Sequence, residues 1–387
     1  MARKHERGVL TVPKLLYFVT EDWYFRSHRL PLARAAIEAG FEVVLLTRVG
    51  AHRQEIESMG IRVIHLEMRR RSINPLREIA TFRSIYSILK VESPDILHLV
   101  ALKPIIYGGM AGLLAGFGRM VCAVAGLGYV FTSRELKAAL IRPIMKMLLS
   151  ILLARPNVRV IVQNPDDGEL LVNSVGVEKV RTVLIRGAGV DPIMFSPPRE
   201  EPRTIPVVLF ASRMIWDKGV AEFVEAAQIL RDSGVVARFV LAGGPDPGNP
   251  VSVPEAQLKE WNNTGAVEWW GPREDMPEVL SQSTLVCLPS AYGEGVPKIL
   301  IEAAACGRAI IASDAPGCRE IVRHGENGLL VPLKDAAALA EAMGRLLADP
   351  ELCRRMGERG RDIAVREFSV SQVVGETMAI YRELLTT

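Results

Sequence analysis

Residues 284–307, TLVCLPSAYGEGVPKILIEAAACG, read as a strand, a loop and a helix in one run. The opening TLVCLPS is mostly apolar, which suits a strand buried on both faces. AYGEG is turn-rich. Pro297 fits the first helical turn, where its missing N–H costs nothing. The helix that follows is mainly Ile, Leu and Ala, yet it carries Glu302, eight positions after the loop's Glu294. Lys298 and Glu302 stand at i, i+4, so a solvated ion pair is one reading. Two carboxylates placed for a ligand is the other.

The same grammar runs through the whole chain. KLLYFVT (14–20), FEVVLLT, IRVIHLE, DILHLV, MVCAVAG and VRVIVQN read as strands. HRLPLARAAIEAG reads as a helix closed by Gly40, a usual place for a left-handed cap. After 196–206, SPPREEPRTIP, the pattern restarts with VVLFASR, ARFVLAGG, AVEWWG, TLVCLPS and RAIIASD. Strands alternating with helices predict α/β architecture with parallel sheets covered on both faces. The expected division is a first domain over 1–195, a linker over 196–206, a second domain over 207–370 and a terminal segment over 371–387. A length of 387 residues suits two such domains.

Composition narrows the function classes. Hydrophobic residues at 49% and charged residues at 24% exclude a disordered chain. Cys122, Cys287, Cys306, Cys318 and Cys353 are scattered without CxxC spacing, which points away from a disulfide framework or zinc site and towards a reducing, cytoplasmic compartment. The basic start (Arg3, Lys4, Arg7) does not make a signal peptide, because Lys14 interrupts the apolar run after it. Residues 105–131 are long enough to span a bilayer, but their seven glycines and Arg119 favour a buried helix and strand. Residues 1–195 hold 27 Lys and Arg against 17 Asp and Glu, a net +10, while the remainder nets −7. That asymmetry suggests an anionic partner for the first half. Residues 134–156, basic and amphipathic, read either as a core helix or as one lying on an anionic membrane.

Several chemistries lack their motifs. There is no GxxxxGK[ST], no GxGxxG after the first strand, no HExxH and no DxD. No metal or other cofactor is expected. A bound diphosphate would then need protein cations and backbone amides. ASRMIWDKG supplies Arg213 and Lys218 at the carboxyl end of a strand, where open α/β sheets bind ligands. The Gly295 and Val296 amides would face the anion at the start of the next helix. Glu302 would lie roughly 7–8 Å along the helix from Pro297. The two carboxylates then suit a sugar nucleotide, with ribose at one and sugar at the other. On this reading Lys298 is an ordinary surface charge.

ASRMIWDKG, LAGGPD, GEGVPKILIEAAACGRAIIASDAPGCREIV and HGENGLLVP together resemble the C-terminal half of family 4 retaining glycosyltransferases, which have the two-domain GT-B fold. YFVTEDWYFRSHRLPLARAA, LVALKPIIYGG, AVAGLGYVF and VQNPDD resemble a bacterial subgroup that transfers N-acetylhexosamines onto undecaprenyl-diphosphate-linked sugars. The resemblance covers nearly the whole chain and implies two Rossmann-like domains facing a cleft. It implies a UDP-sugar donor whose leaving diphosphate is neutralised by Arg213 and Lys218. Glu302 would hold the ribose, Glu294 the donor sugar, and the turn around Arg273 the nucleobase. A lipid-linked saccharide acceptor on the first domain, a last helix crossing back to it, and a peripheral place on the inner face of the bacterial cytoplasmic membrane also follow. Relatives carry a histidine after the fifth strand; here the place reads Ala125-Gly126-Leu127, leaving the Gly126 backbone to do the positioning.

Arg26, His28, His98 and Lys103 are acceptor candidates. Each has a structural alternative: a solvated cation or a satisfied core histidine. A sugar-nucleotide epimerase of the same fold, or a non-enzymatic binder of anions or nucleic acid, would share some of these features. No nucleic-acid module is present, so nucleic acid is not an expected partner.

Overall fold

The structure is a computed structural model that describes residues 12–68, 74–127, 131, 136–198, 205–291 and 293–386, without the side chains of 136–139. Arg3, Lys4, Arg7, Gly128, Arg134, Tyr292 and part of the 196–206 stretch lie outside the described residues.

Apolar runs become strands as their composition dictates. Seven of them form a sheet: β1 (Lys14–Glu21), β2 (Glu42–Arg48), β3 (Arg62–His65), β4 (Ile96–Val100), β5 (Met120–Val124), β6 (Val158–Val162) and β7 (Thr182–Leu184), ordered β3-β2-β1-β4-β5-β6-β7. Six more form a second sheet: β8 (Val207–Ala211), β9 (Arg238–Ala242), β10 (Glu268–Gly271), β11 (Leu285–Leu288), β12 (Ala309–Ser313) and β13 (Gly328–Val331), ordered β10-β9-β8-β11-β12-β13. The pairings β1–β2, β1–β4, β8–β9 and β8–β11 are parallel. The central strands β4, β8 and β11 are buried along their whole length, which is why they read as continuous apolar runs rather than alternating ones. The chain divides into two compact units, Met1–Ala123 with Leu148–Ile161 and Glu376–Thr387, and Val124–Met147 with Val162–Gly375.

Differences from the sequence reading are local. The helix expected over 28–40 is found as Leu30–Glu38, a further helix that the sequence reading did not place, Asp22–His28, precedes it across Arg29, and Gly40 still turns left-handed at φ +89°. Residues 105–131 contribute the helix Leu102–Ala115 and then β5. The helical glycines are there for contact, since a Cβ at Gly109 would come within 2.5 Å of Leu152 and one at Gly108 within 2.7 Å of Leu99. Among the described residues no helix is long and apolar enough to cross a membrane.

Candidate functional site

In the second unit the strand order reverses between β8 and β11, and both strands run parallel. The loops leaving their carboxyl ends therefore flank a crevice at a topological switch point. These loops are bound to each other. Ala291 N–H donates to Asp217 O at 2.9 Å, and Gly219 at φ +80° passes so close that a Cβ there would lie 2.1 Å from Pro289 O. The sequence separation of the two segments, about seventy residues, is thus closed at one edge of one sheet.

The cations converge there, each beside a carboxylate. Lys218, 8% exposed, ends a short 3-10 turn and is ion-paired to Glu294. Ser290 Oγ donates to the same Glu294 at 2.9 Å. Arg213 Nη1 is paired with Asp246 at 2.5 Å. Asp246 is fixed in turn, because its N–H donates to Ser252 Oγ at 2.8 Å. The two cations are thereby neutralised by carboxylates of the same protein.

Glu302 lies in the helix Lys298–Ala305 and is 5% exposed. Burial raises its pKa above the usual carboxylate value, against the charge and hydrogen bond of Lys298, which lower it. The Lys298 Nζ–Glu302 Oε1 distance is 2.9 Å. This corrects the expectation that Lys298 is an ordinary surface charge: the i, i+4 pair forms, but around a buried carboxylate. Pro297 stands just outside the helix as its N-cap.

The amides were expected to face an anion, and here the structure also differs. Val296 N–H donates to Gln163 Oε1 at 2.9 Å, and Gly295 N–H reaches Ala125 O at 3.3 Å. Gly295 has no room for a side chain: a Cβ would lie 1.9 Å from Gln163 Oε1. Gly126, at φ +104°, is as tightly set, with a Cβ falling 2.6 Å from Gly293 O. Gly126 thus abuts the GEGV loop, and the two amides already have acceptors. Arg273 lies beside Trp270, its guanidinium carbon 5.9 Å from the ring centroid, and pairs with Asp275.

In the first unit the strand order reverses between β1 and β4. Arg26 follows β1 and bonds Glu55 at 2.7 Å. His28 stacks on Tyr24 with centroids 4.1 Å apart. Lys103 follows β4 and pairs with Glu78 at 3.0 Å, and Tyr107 O–H donates to that carboxylate at 2.6 Å. Between β4 and Lys103 sits Ala101 at φ +72°, ψ +162°, a region that side chains disfavour. His98 does not belong with these residues. It is wholly buried in β4, stacked on Tyr17 at 4.9 Å and hydrogen-bonded to Tyr381. Its candidacy as an acceptor contact is withdrawn.

Sequence reasoning missed Asp246, Ser290 and Gln163. Asp246 stands in LAGGPD at the end of β9, next to β8 in the sheet, and that adjacency was the available signal. Gln163 carried none, because its role depends on a loop more than a hundred residues away.

Residues 195–363 match the family described as glycosyl transferases group 1, and residues 14–164 the one described as glycosyl transferase 4-like. A Campylobacter jejuni protein, N,N'-diacetylbacillosaminyl-diphospho-undecaprenol alpha-1,3-N-acetylgalactosaminyltransferase, is 31% identical over 84% of this chain and 86% of its own. The Escherichia coli UDP-Gal:alpha-D-GlcNAc-diphosphoundecaprenol alpha-1,3-galactosyltransferase is 25% identical over 81% and 82%. Among solved structures, sucrose-phosphate synthase from Thermosynechococcus elongatus superposes with TM-score 0.78 at 23% identity, covering 97% of this chain and 99% of that one. Anabaena HepE, solved with UDP and glucose, gives 0.77 at 17% identity, covering 96% and 99%. The fold is GT-B.

Proposed function

The chain belongs to the group 1 glycosyl transferases and is a hexosyltransferase, and from that premise we propose that it transfers an N-acetylhexosamine from a UDP-sugar to a lipid-diphosphate-linked saccharide. The observation that carries this reading is the β8–β11 edge, where Arg213 and Lys218 lie beside two carboxylates on one crevice. The names of the Campylobacter and Escherichia relatives point the same way, towards undecaprenyl-diphosphate acceptors.

In this reading the donor diphosphate takes over Arg213 and Lys218 from Asp246 and Glu294. Glu294, released from Lys218, then accepts hydrogen bonds from the donor sugar's hydroxyls, and Glu302 from the ribose. Trp270 and Arg273 flank the base. The bond from the sugar's anomeric carbon to the phosphate oxygen breaks as the acceptor oxygen bonds to that carbon on the same face. The departing phosphate oxygen takes the acceptor's proton, so configuration is retained and no protein base is required. Charge accumulates on the leaving phosphate, where two cations stabilise it without a metal. Arg26, His28 and Lys103, near the β1–β4 edge, are the acceptor candidates of the first unit. The acceptor lipid places the work at the inner face of the cytoplasmic membrane, in the assembly of O-antigen or a related surface glycan.

A panel of UDP-sugars with a short polyprenyl-diphosphate-sugar acceptor, read by mass, tests the proposal. The expected product is heavier by one N-acetylhexosamine, with UDP released only when acceptor is present. Interconversion of UDP-sugars without acceptor would instead identify an epimerase.

A further inference from the structure

Glu294 stands in a loop whose backbone is held from three sides, all within the second unit. On one side Gly317, in the helix Pro316–Ile321, lies so close that a Cβ on it would fall 1.5 Å from Gly295 O and 2.9 Å from Glu294 O. On another, Gly126 has no room for a Cβ beside Gly293 O, and Ala125 O accepts the Gly295 N–H at 3.3 Å. The third side is the side chain of Gln163, whose Oε1 accepts the Val296 N–H at 2.9 Å.

Gln163 is itself firmly placed. It directly follows β6, and Asn164 after it caps the helix Pro165–Leu170 by accepting the Asp167 N–H at 2.8 Å. Its backbone is therefore pinned between a strand end and a helix cap, and its side chain is buried. The amide also lies against the Gly295 backbone: a Cβ there would fall 1.9 Å from Gln163 Oε1 and 2.6 Å from the amide carbon. Glycine at 295 is what admits the glutamine.

We propose that Gln163 is a positioning residue for Glu294, fixing the loop so that this carboxylate meets the transferred sugar; the inference rests on the sugar-nucleotide reading of the site. Glu294 is otherwise held by Lys218 and by Ser290 Oγ. A donor diphosphate that takes Lys218 removes the ion pair, and the carboxylate then depends on Ser290 and on the backbone of its loop. Of the two hydrogen bonds made by the amides after Glu294, that of Val296 to Gln163 is the shorter, 2.9 against 3.3 Å. Without its acceptor the Val296 N–H would be buried and unsatisfied, and the loop would shift to find another. A shift of about 1 Å in a group that orients the sugar slows transfer roughly a hundredfold.

Gln163→Leu removes the acceptor and keeps most of the volume. With the UDP-N-acetylhexosamine that the wild type transfers, its kcat should fall about tenfold to a hundredfold. The Kd for UDP alone, by calorimetry, should stay within about twofold, since Arg213, Lys218 and Glu302 meet the nucleotide without Glu294. In a Glu294→Ala background, Gln163→Leu should change kcat by less than about twofold, because the residue acts through that carboxylate. Gln163→Glu keeps an oxygen on Val296 and should hold kcat within about threefold of the wild type. Additive losses in the double variant, UDP affinity falling in step with kcat, or no rescue by Gln163→Glu would each overturn the proposal. Should Gln163→Leu fail to fold, Gln163→Asn decides by the same criteria, its oxygen standing one methylene short of Val296. A wild type that transfers no sugar overturns the reading of the whole site and the inference with it, whereas transfer with additive losses overturns the inference alone.

Discussion

Glu302 sets stability against binding. Its pKa is raised chiefly by burial, so ionising it costs the folded chain more than the unfolded one. The cost is absent at pH below the unfolded carboxylate value and appears as the pH rises through that value. Glu302→Gln should therefore raise the melting temperature at pH 7–8 but not near pH 4, by calorimetry at both. The same substitution should weaken UDP-sugar binding by about tenfold to a hundredfold, the worth of a hydrogen bond to a charged group. Asp246 offers a second check on the neutralised site. Asp246→Asn removes the partner that Arg213 must leave, so the donor KM is expected to fall or hold while kcat changes less than threefold; a collapse of kcat would give Asp246 a direct part in the reaction. The Glu294–Glu302 spacing and the cations were legible in the sequence because one short strand–loop–helix carries them. Of the two readings of His98 the structure gives the core one, and its place in DILHLV, an otherwise apolar run of a central strand, was the sign.

Between residues and domains, the loops after β8 and β11 are the decisive elements. Gly219 is left-handed and passes Pro289 O with no space for a methyl group. Gly219→Ala should cost about 2–3 kcal/mol from backbone strain and displacement together. It should also raise the donor KM, since Lys218 precedes the strained residue; unchanged melting and kinetics would show that the loops yield freely. Most strands were readable as apolar runs, but β7 and β13 were not. Both are edge strands of three and four residues, TVL and GLLV, too short for periodicity to separate from loops. The boundary at Arg29 did carry a signal, since Pro31 in the first turn of Leu30–Glu38 cannot continue a helix from the residues before it.

Across the whole molecule, the basic character of residues 1–195 meets an apolar stripe on the helix Leu136–Leu153. Leu140, Ile144, Met147 and Ile151 recur at helical spacing and are 76, 57, 56 and 46% exposed, with Ile141 beside them. A helix packed wholly into a core would not leave these side chains in water; Leu149, Leu152 and Leu153 are buried while the stripe is exposed, so the core reading holds for one face only. Were the stripe to lie on a membrane, Arg142 and Lys146 on the same helix would meet an anionic headgroup layer. Flotation with vesicles containing anionic lipid should recover the wild-type chain, less so at high salt because screening removes the electrostatic share. The pair Ile144→Glu and Met147→Glu should cut that partition by about a hundredfold, from the lost burial of two side chains. Turnover of a short water-soluble acceptor should stay within twofold, because neither residue lies at the β8–β11 edge. Equal flotation of wild type and variant would break the link between this stripe and the membrane.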